Sequence, residues 1–263
     1  MGFLVINSKK ENELTIKKVT MRTKDFLVYF GITILLFSCQ NKSEKHKLVF
    51  KSSEKVSIDG YANENAWNKA QWFPIDQVWL GKSIDSSDFS GRYKLSWTKE
   101  ALYVLVEIKD DVLRDVFENP LERWWDEDCV EIFIDQDNSG GDHQFNHNAF
   151  AYHIDTKGNV VDIIAKDTPK LFNDHIVSKR ITNGNFSTWE FKILLFPDSF
   201  IYGKSSNPVD LYQNKKIGFA IAYCDNDASD QRENFIGSVV VKGEDKDRGW
   251  KDASIFETIE LKN

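Results

Sequence analysis

Trp124-Trp125-Asp126-Glu127-Asp128-Cys129-Val130-Glu131-Ile132-Phe133-Ile134-Asp135 places two adjacent indoles at the head of an acidic, alternating stretch. Successive side chains of an extended chain point to opposite faces. Val130, Ile132 and Ile134 therefore share one face, and Cys129, Glu131, Phe133 and Asp135 share the other. A carboxylate beside a large flat ring suits a sugar. The ring covers the apolar C–H face of a pyranose, and the carboxylate accepts hydrogen bonds from its hydroxyls. The structural alternative buries both tryptophans in a core or turn and leaves Glu131 on a solvated strand face.

Other constellations are less specific. Asp135-x-Asp137-x-Ser139-Gly140 alternates oxygen ligands as a calcium loop does, without the distal glutamate of an EF-hand. An acidic turn is the alternative. Glycosidic hydrolysis needs two carboxylates flanking one bond, and Glu131 has Asp126, Glu127 and Asp128 nearby. With 41 Asp and Glu in the chain, such proximity does not single out a pair. There is no G-x-S-x-G, P-loop or G-x-G-x-x-G. Cys129 and Cys224 both fall in expected strands without zinc-type spacing, so a disulfide and two buried thiols are both open.

The elements that must position these residues read as strands. Tyr93–Trp97 and Leu102–Ile108 flank a short turn and form an expected hairpin. Further alternating stretches are 130–135, 150–155, 189–193, 217–225 and 256–261. Helical signals are confined to single turns at Asn63–Ala70, around Trp67, and at Asp111–Glu118. Many short strands without a βαβ rhythm predict an all-β fold, an antiparallel β-sandwich or jelly roll with one or two short helices. One domain over 47–263 is the simplest organisation.

The N-terminus reads as a targeting segment. Met21-Arg22-Thr23-Lys24-Asp25 is charged, and Phe26–Ser38 is an apolar run of thirteen residues, short for a bilayer span. Leu36-Phe37-Ser38-Cys39 resembles a bacterial lipobox, which makes Cys39 the expected lipidated residue and 39–46 a tether. Residues 1–20 lack signal character, so Met21 is the expected true start. These features predict a lipid-anchored protein of the cell envelope, touching the membrane only through its anchor. Residues 39–263 hold 28 basic and 38 acidic side chains, net −10. That balance argues against nucleic acid, whose affinity comes from neutralising phosphates.

Taken in order, these segments resemble the family 9 carbohydrate-binding modules and their DOMON-like relatives. The resemblance rests on Ile58-Asp59-Gly60 with Glu64, Trp67 and Ala70, the W-x-x-D-x-V-E-I-F-I-D run from Trp125 to Asp135, and Trp189–Ile193. Ile217-Gly218-Phe219 and Trp250–Phe256 complete it. It implies a non-catalytic module that clamps a glycan end between Trp125 and Trp250, with Glu131 accepting hydroxyl hydrogen bonds. Asp247 falls where the family carries an asparagine, a basic position falls on Ala151, and a glutamine position falls on Ala222. His153 lies on the same strand face as Ala151 and is the expected substitute contact. The family's structural calcium makes Asp135 and Asp137 candidate ligands. Two other uses of such a sandwich stand beside this one. The first is binding of an envelope protein partner. The second is haem, for which the only methionines, Met1 and Met21, lie in the N-terminal segment and two histidines would have to serve.

Overall fold

The computed structural model describes residues 46–263. The expected start at Met21, the apolar run and Cys39 lie outside the described residues. No described helix is long and apolar enough to cross a membrane.

Two sheets face each other. The smaller runs β10–β11–β5–β4–β2 across its width. Its strands are β2 (Phe73–Ile75), β4 (Phe89–Trp97), β5 (Leu102–Asp110), β10 (Ile176–Asn183) and β11 (Phe186–Ile193). The larger runs β1–β14–β12–β6–β7–β8–β9. It is built from β1 (Lys47–Phe50), β6 (Cys129–Asp135), β7 (Phe150–Asp155), β8 (Val160–Ile164) and β9 (Thr168–Leu171), with β12 (Lys216–Asp225) and β14 (Glu257–Lys262). Two short strands extend its edge: β13 (Asn234–Gly237) pairs with β12, and β3 (Gln77–Leu80) pairs with β13. Every pairing is antiparallel except β1 with β14, which is parallel. The expected all-β sandwich is therefore the observed architecture, with one parallel edge strand.

The predicted parity of β6 holds. Val130, Ile132 and Ile134 enter the main core between the sheets with Leu95, Val104, Phe191 and Phe219. The opposite face is not solvated. Cys129 and Phe133 join Trp79, Phe235, Val239 and Val241 in a second apolar cluster, against which Trp250 and Phe256 pack. Burial on both faces makes all of β6 buried and gives the site a dry floor.

The predicted turn at Trp67 is the one α-helix among the described residues, α1 (Asn65–Lys69). The segment Asp111–Glu118 is not helical. Its backbone is claimed from outside: Arg114 N–H donates to Asp128, and Val116 and Phe117 N–H donate to Glu127. N–H groups bound to side chains cannot close helical turns.

The opening motif is structural. Glu190 is fully buried. One of its oxygens accepts from the Trp67 indole at 3.0 Å. The other accepts from the Gly60 and Asp59 N–H groups at 2.7 and 3.0 Å. Gly60 has φ +86°, and a Cβ there would meet Ile181 at 2.9 Å, so glycine is required on both counts.

Candidate functional site

The β6 run delivers its polar residue into a row across the larger sheet. Glu131 is in register with His153 of β7 on one side and Ala222 of β12 on the other. Glu131 is 2 % exposed. Its Oε1 lies 2.7 Å from His153 Nε2, 3.2 Å from Arg232 Nη1 and 3.2 Å from the Cys224 thiol. Burial alone would raise its pKa; the charge and hydrogen bond of His153 and the charge of Arg232 overcome it, and the carboxyl is held below its ordinary value. Arg232 also binds Asp247 at 2.7 Å and stacks its guanidinium 4.1 Å from the Phe235 ring. Burial works against its charge, but Cys224, Glu131 and Asp247 hold it above the usual arginine range. Burial in turn pushes Asp247 up, opposed by Arg232.

These groups open into one cavity of about 260 Å³, lined by Trp124, Trp125, Glu131, Ala151, His153, Asp162, Ile163, Asp167, Arg232, Asp247 and Trp250. All five sequence-predicted contact residues line it: Trp125, Glu131, His153, Asp247 and Trp250. Trp125 is 38 % exposed, too open for a core residue, and the ring of Trp124 meets it edge-on at 4.5 Å. A more open cleft, lined also by Arg123, Asp126 and residues 229–233, shares Trp125 and Arg232.

Two loops hold the tryptophans. Asp126 ties the Trp125 turn to the Arg232 loop: its Oδ1 accepts the Arg232 N–H at 3.0 Å, and its carbonyl accepts from the Asn226 amide at 2.7 Å. Asp128 accepts the N–H groups of Arg114 and Asn226. One oxygen of Asp126, one of Glu127 and both of Asp128 thus fasten backbone from other segments, and the second oxygen of Asp126 pairs with Arg123. On the opposite rim, His143 Nε2 lies 2.8 Å from the Gly249 carbonyl, next to Trp250. A carbonyl only accepts, so that nitrogen carries the proton.

A residue outside the sequence-predicted set, Arg232 of the polar run Asp230-Gln231-Arg232-Glu233, brings a basic group to the cavity that Ala151 also lines. Asp162 was also unforeseen. It accepts the Ala151 N–H at 3.2 Å and its own neighbour Ile163's at 2.7 Å. Burial drives its pKa to about 8 against those two bonds, with the Glu131 charge adding to the rise. Cys129 and Cys224 face each other in register as two fully buried, unbonded thiols.

Asp135, the last residue of β6, and Asp137 are the expected calcium ligands. Asp135 accepts the N–H groups of Asp137 and Gly140 at 3.2 and 2.6 Å, and Asp137 accepts that of Ser139 at 3.1 Å. These bonds close an acidic turn and take up both oxygens of Asp135. Neither residue belongs to a group of three close acidic, histidine or cysteine ligand atoms among the described residues.

Comparison with known proteins agrees with this architecture. The chain is similar to the endo-1,4-beta-xylanase A of Thermotoga maritima, 37 % identical over 81 residues, and to that of Thermotoga neapolitana, 36 % identical over 81 residues. Each match covers 31 % of this chain but only 7 % of the xylanase. Two solved structures share the fold, both a family 9 carbohydrate-binding module from Caldicellulosiruptor kristjanssonii. The complex with cellotriose superposes with a TM-score of 0.63 at 20 % identity, covering 83 % of this chain and 94 % of that one. The complex with glucose gives 0.59 at 20 % identity, covering 82 % and 96 %. The model of the carbohydrate family 9 binding domain-like family matches residues 58–263, nearly the whole of the described sandwich, and the chain belongs to that family.

Proposed function

We propose that this protein is a non-catalytic carbohydrate-binding module that clamps a glycan end between Trp125 and Trp250. The observation that carries the reading is that three indoles, Trp124, Trp125 and Trp250, and a charge-compensated polar floor of Glu131, His153, Arg232 and Asp247 line one small cavity. Aromatic walls contribute large apolar contact at little entropic cost. The floor offers donors and acceptors already fixed by their mutual bonds, and fixed polar groups are what discriminate one hydroxyl pattern from another. At about 260 Å³ the cavity lies just under the ~300–1,000 Å³ typical of small-molecule sites. That size suits one sugar ring at a chain terminus better than a chain interior. The relatives solved with cellotriose and glucose make β-glucan ends the first ligands to try.

Calorimetry of the full chain in mild detergent against glucose, cellobiose and cellotriose, xylo-oligosaccharides and manno-oligosaccharides tests the reading. We expect binding that weakens about tenfold or more, or about 1.4 kcal/mol, in Trp125→Ala, with an unchanged melting temperature. Unfolding of Trp125→Ala would assign that ring to the core. No binding across the panel would overturn the sugar reading and turn attention to an envelope protein partner.

We also propose that Cys39 carries a lipid that holds the protein in the cell envelope. The support is the charged, apolar and Leu-Phe-Ser-Cys succession of residues 21–39. Metabolic labelling with an alkyne fatty acid should mark the wild type and not Cys39→Ser; equal labelling of both would sink the assignment.

A further inference from the structure

The cavity holds more acid than base. Glu131, Asp162, Asp167 and Asp247 line it, against Arg232 and His153. Both bases are spent on two of those acids: His153 and Arg232 on Glu131, and Arg232 again on Asp247. Asp162 and Asp167 enter none of the eleven salt bridges among the described residues. Lys170 stands opposite Asp162 in the β8–β9 register, yet it forms no ion pair with it. Lys251 lies 5.4 Å from the Trp250 ring but pairs with Asp245, outside the lining.

The carboxylates left without a cation differ in burial. Asp162 is 5 % exposed. The Ala151 and Ile163 N–H groups each occupy one of its oxygens and bring no net charge. An ionised carboxylate has about four acceptor sites, so half of them remain open. Burial pushes its pKa to about 8 because no cation opposes it. Asp167 lies exposed in the turn between β8 and β9. Asp247 gives Oδ2 to Arg232, which leaves Oδ1 open among the described residues. The indoles of Trp124, Trp125 and Trp250 line the same space. Indole faces attract cations, and aromatic cages are a recurring way to hold ammonium groups.

We propose that the sugar end held here carries an ammonium group, as a terminal 2-amino-2-deoxyglucose does, with Asp162 and Asp167 as its counter-charges and Asp247 as a further acceptor. This inference rests on the carbohydrate reading of the cavity. Exchanging one hydroxyl for an amine leaves the pyranose ring and its apolar face intact for the indoles. The ammonium brings three donors, and each bond to a carboxylate is roughly twice as strong as one between neutral groups. Its charge also offsets the buried negative charge at Asp162, which a neutral sugar would leave unpaired.

Calorimetry of the full chain in mild detergent compares glucose, N-acetylglucosamine and glucosamine. The pH is about 7, where an amine of pKa ~7.7–8.0 is mostly protonated. Glucosamine should bind about tenfold or more tighter than glucose, and the uncharged N-acetylglucosamine no tighter than glucose. About 1 M sodium chloride, with a Debye length of ~3 Å, should narrow the advantage of glucosamine. Asp162→Asn should lower the ratio of glucosamine to glucose affinity about fivefold or more. Should that buried variant fail to fold, Asp167→Asn, on the exposed turn, should lower the same ratio about threefold. Glucosamine binding no tighter than glucose would overturn the ammonium reading. So would equal binding of the N-acetylated sugar, or a wild-type ratio in either folded variant. In each of those cases glucose still binds and the clamp stands. Failure of all three sugars would instead count against the clamp itself.

Discussion

Glu131 Oε1 lies 2.7 Å from His153 Nε2 across the β6–β7 pair, directly in register. The contact joins two groups that are almost wholly buried, and Arg232 completes it from a loop. Removing one member of such a network leaves charge unpaired in a dry setting, which costs more than the network contributes as a whole. Glu131→Ala should destabilise the protein by about 3–5 kcal/mol in urea denaturation. The double variant Glu131→Ala with Arg232→Ala should lose clearly less than the sum of the two single changes. Strict additivity would mean the two groups do not act on each other.

Arg232 bridges Glu131 and Asp247 with its two terminal nitrogens while its plane covers Phe235. Lysine keeps the charge but has neither the fork nor the flat face. Arg232→Lys should therefore weaken sugar binding several-fold, with a stability loss of about 1–3 kcal/mol for the imperfectly paired carboxylates. Calorimetry and urea melts of the same sample separate the two effects. Wild-type affinity would show that the guanidinium geometry is irrelevant to the ligand.

Glu190 belongs to the fold and not to the site. It gathers the Trp67 indole and the Asp59 and Gly60 N–H groups on the far sheet. Glu190→Ala should cost about 2–4 kcal/mol, since three hydrogen-bond donors lose a charged acceptor. Sugar affinity of the remaining folded protein should be unchanged, and a large change in affinity would tie this motif to the cavity.

Acid should destabilise the protein through buried His175 and half-buried His147. His175 accepts or donates a 2.7 Å bond with the Tyr152 hydroxyl inside a phenylalanine cluster, and burial depresses its pKa to about 4. Burial, with the charge of His143, does the same to His147, also to about 4. Between pH ~6.5 and ~4 the unfolded chain binds protons at these positions and the folded chain does not. Stability is therefore fully present above pH ~6.5 and lost as pH falls toward 4, by at most about 1.4 kcal/mol per pH unit for each histidine. NMR titration should show both imidazoles neutral down to about pH 4. Titration of either near 6.5 would remove it from this account.

How much was legible in the sequence differs by residue. The alternation of β6 assigned every side chain from Cys129 to Asp135 to its face, because strand parity is a local geometric property. Trp125 and Glu131 stand out by residue type and strand parity, Trp250 and Asp247 are candidates only through the family resemblance, and His153 through sharing a strand face with Ala151. The segment Asp111–Glu118 carries a helical signal but forms no helix, because its N–H groups are claimed by Asp128 and Glu127 from a later segment. Local propensity carries no record of such a donor–acceptor pairing.

What the amino-acid order determined by itself was the sandwich class and seven of its fourteen strands, β4, β5, β6, β7, β11, β12 and β14, since these follow from periodicity and side-chain chemistry. What only the tertiary structure decided was which distant groups meet. Arg232 reaches Glu131 across 101 positions of chain. Asp162 reaches the cavity through β8, a strand not foreseen. Carboxylates of residues as far apart as Asp88 and Asp227 also meet, with Asp225, in one close group. The physical reason is that each of these meetings is fixed by loop closure and sheet register, which depend on the packing of the whole domain and not on any window of sequence.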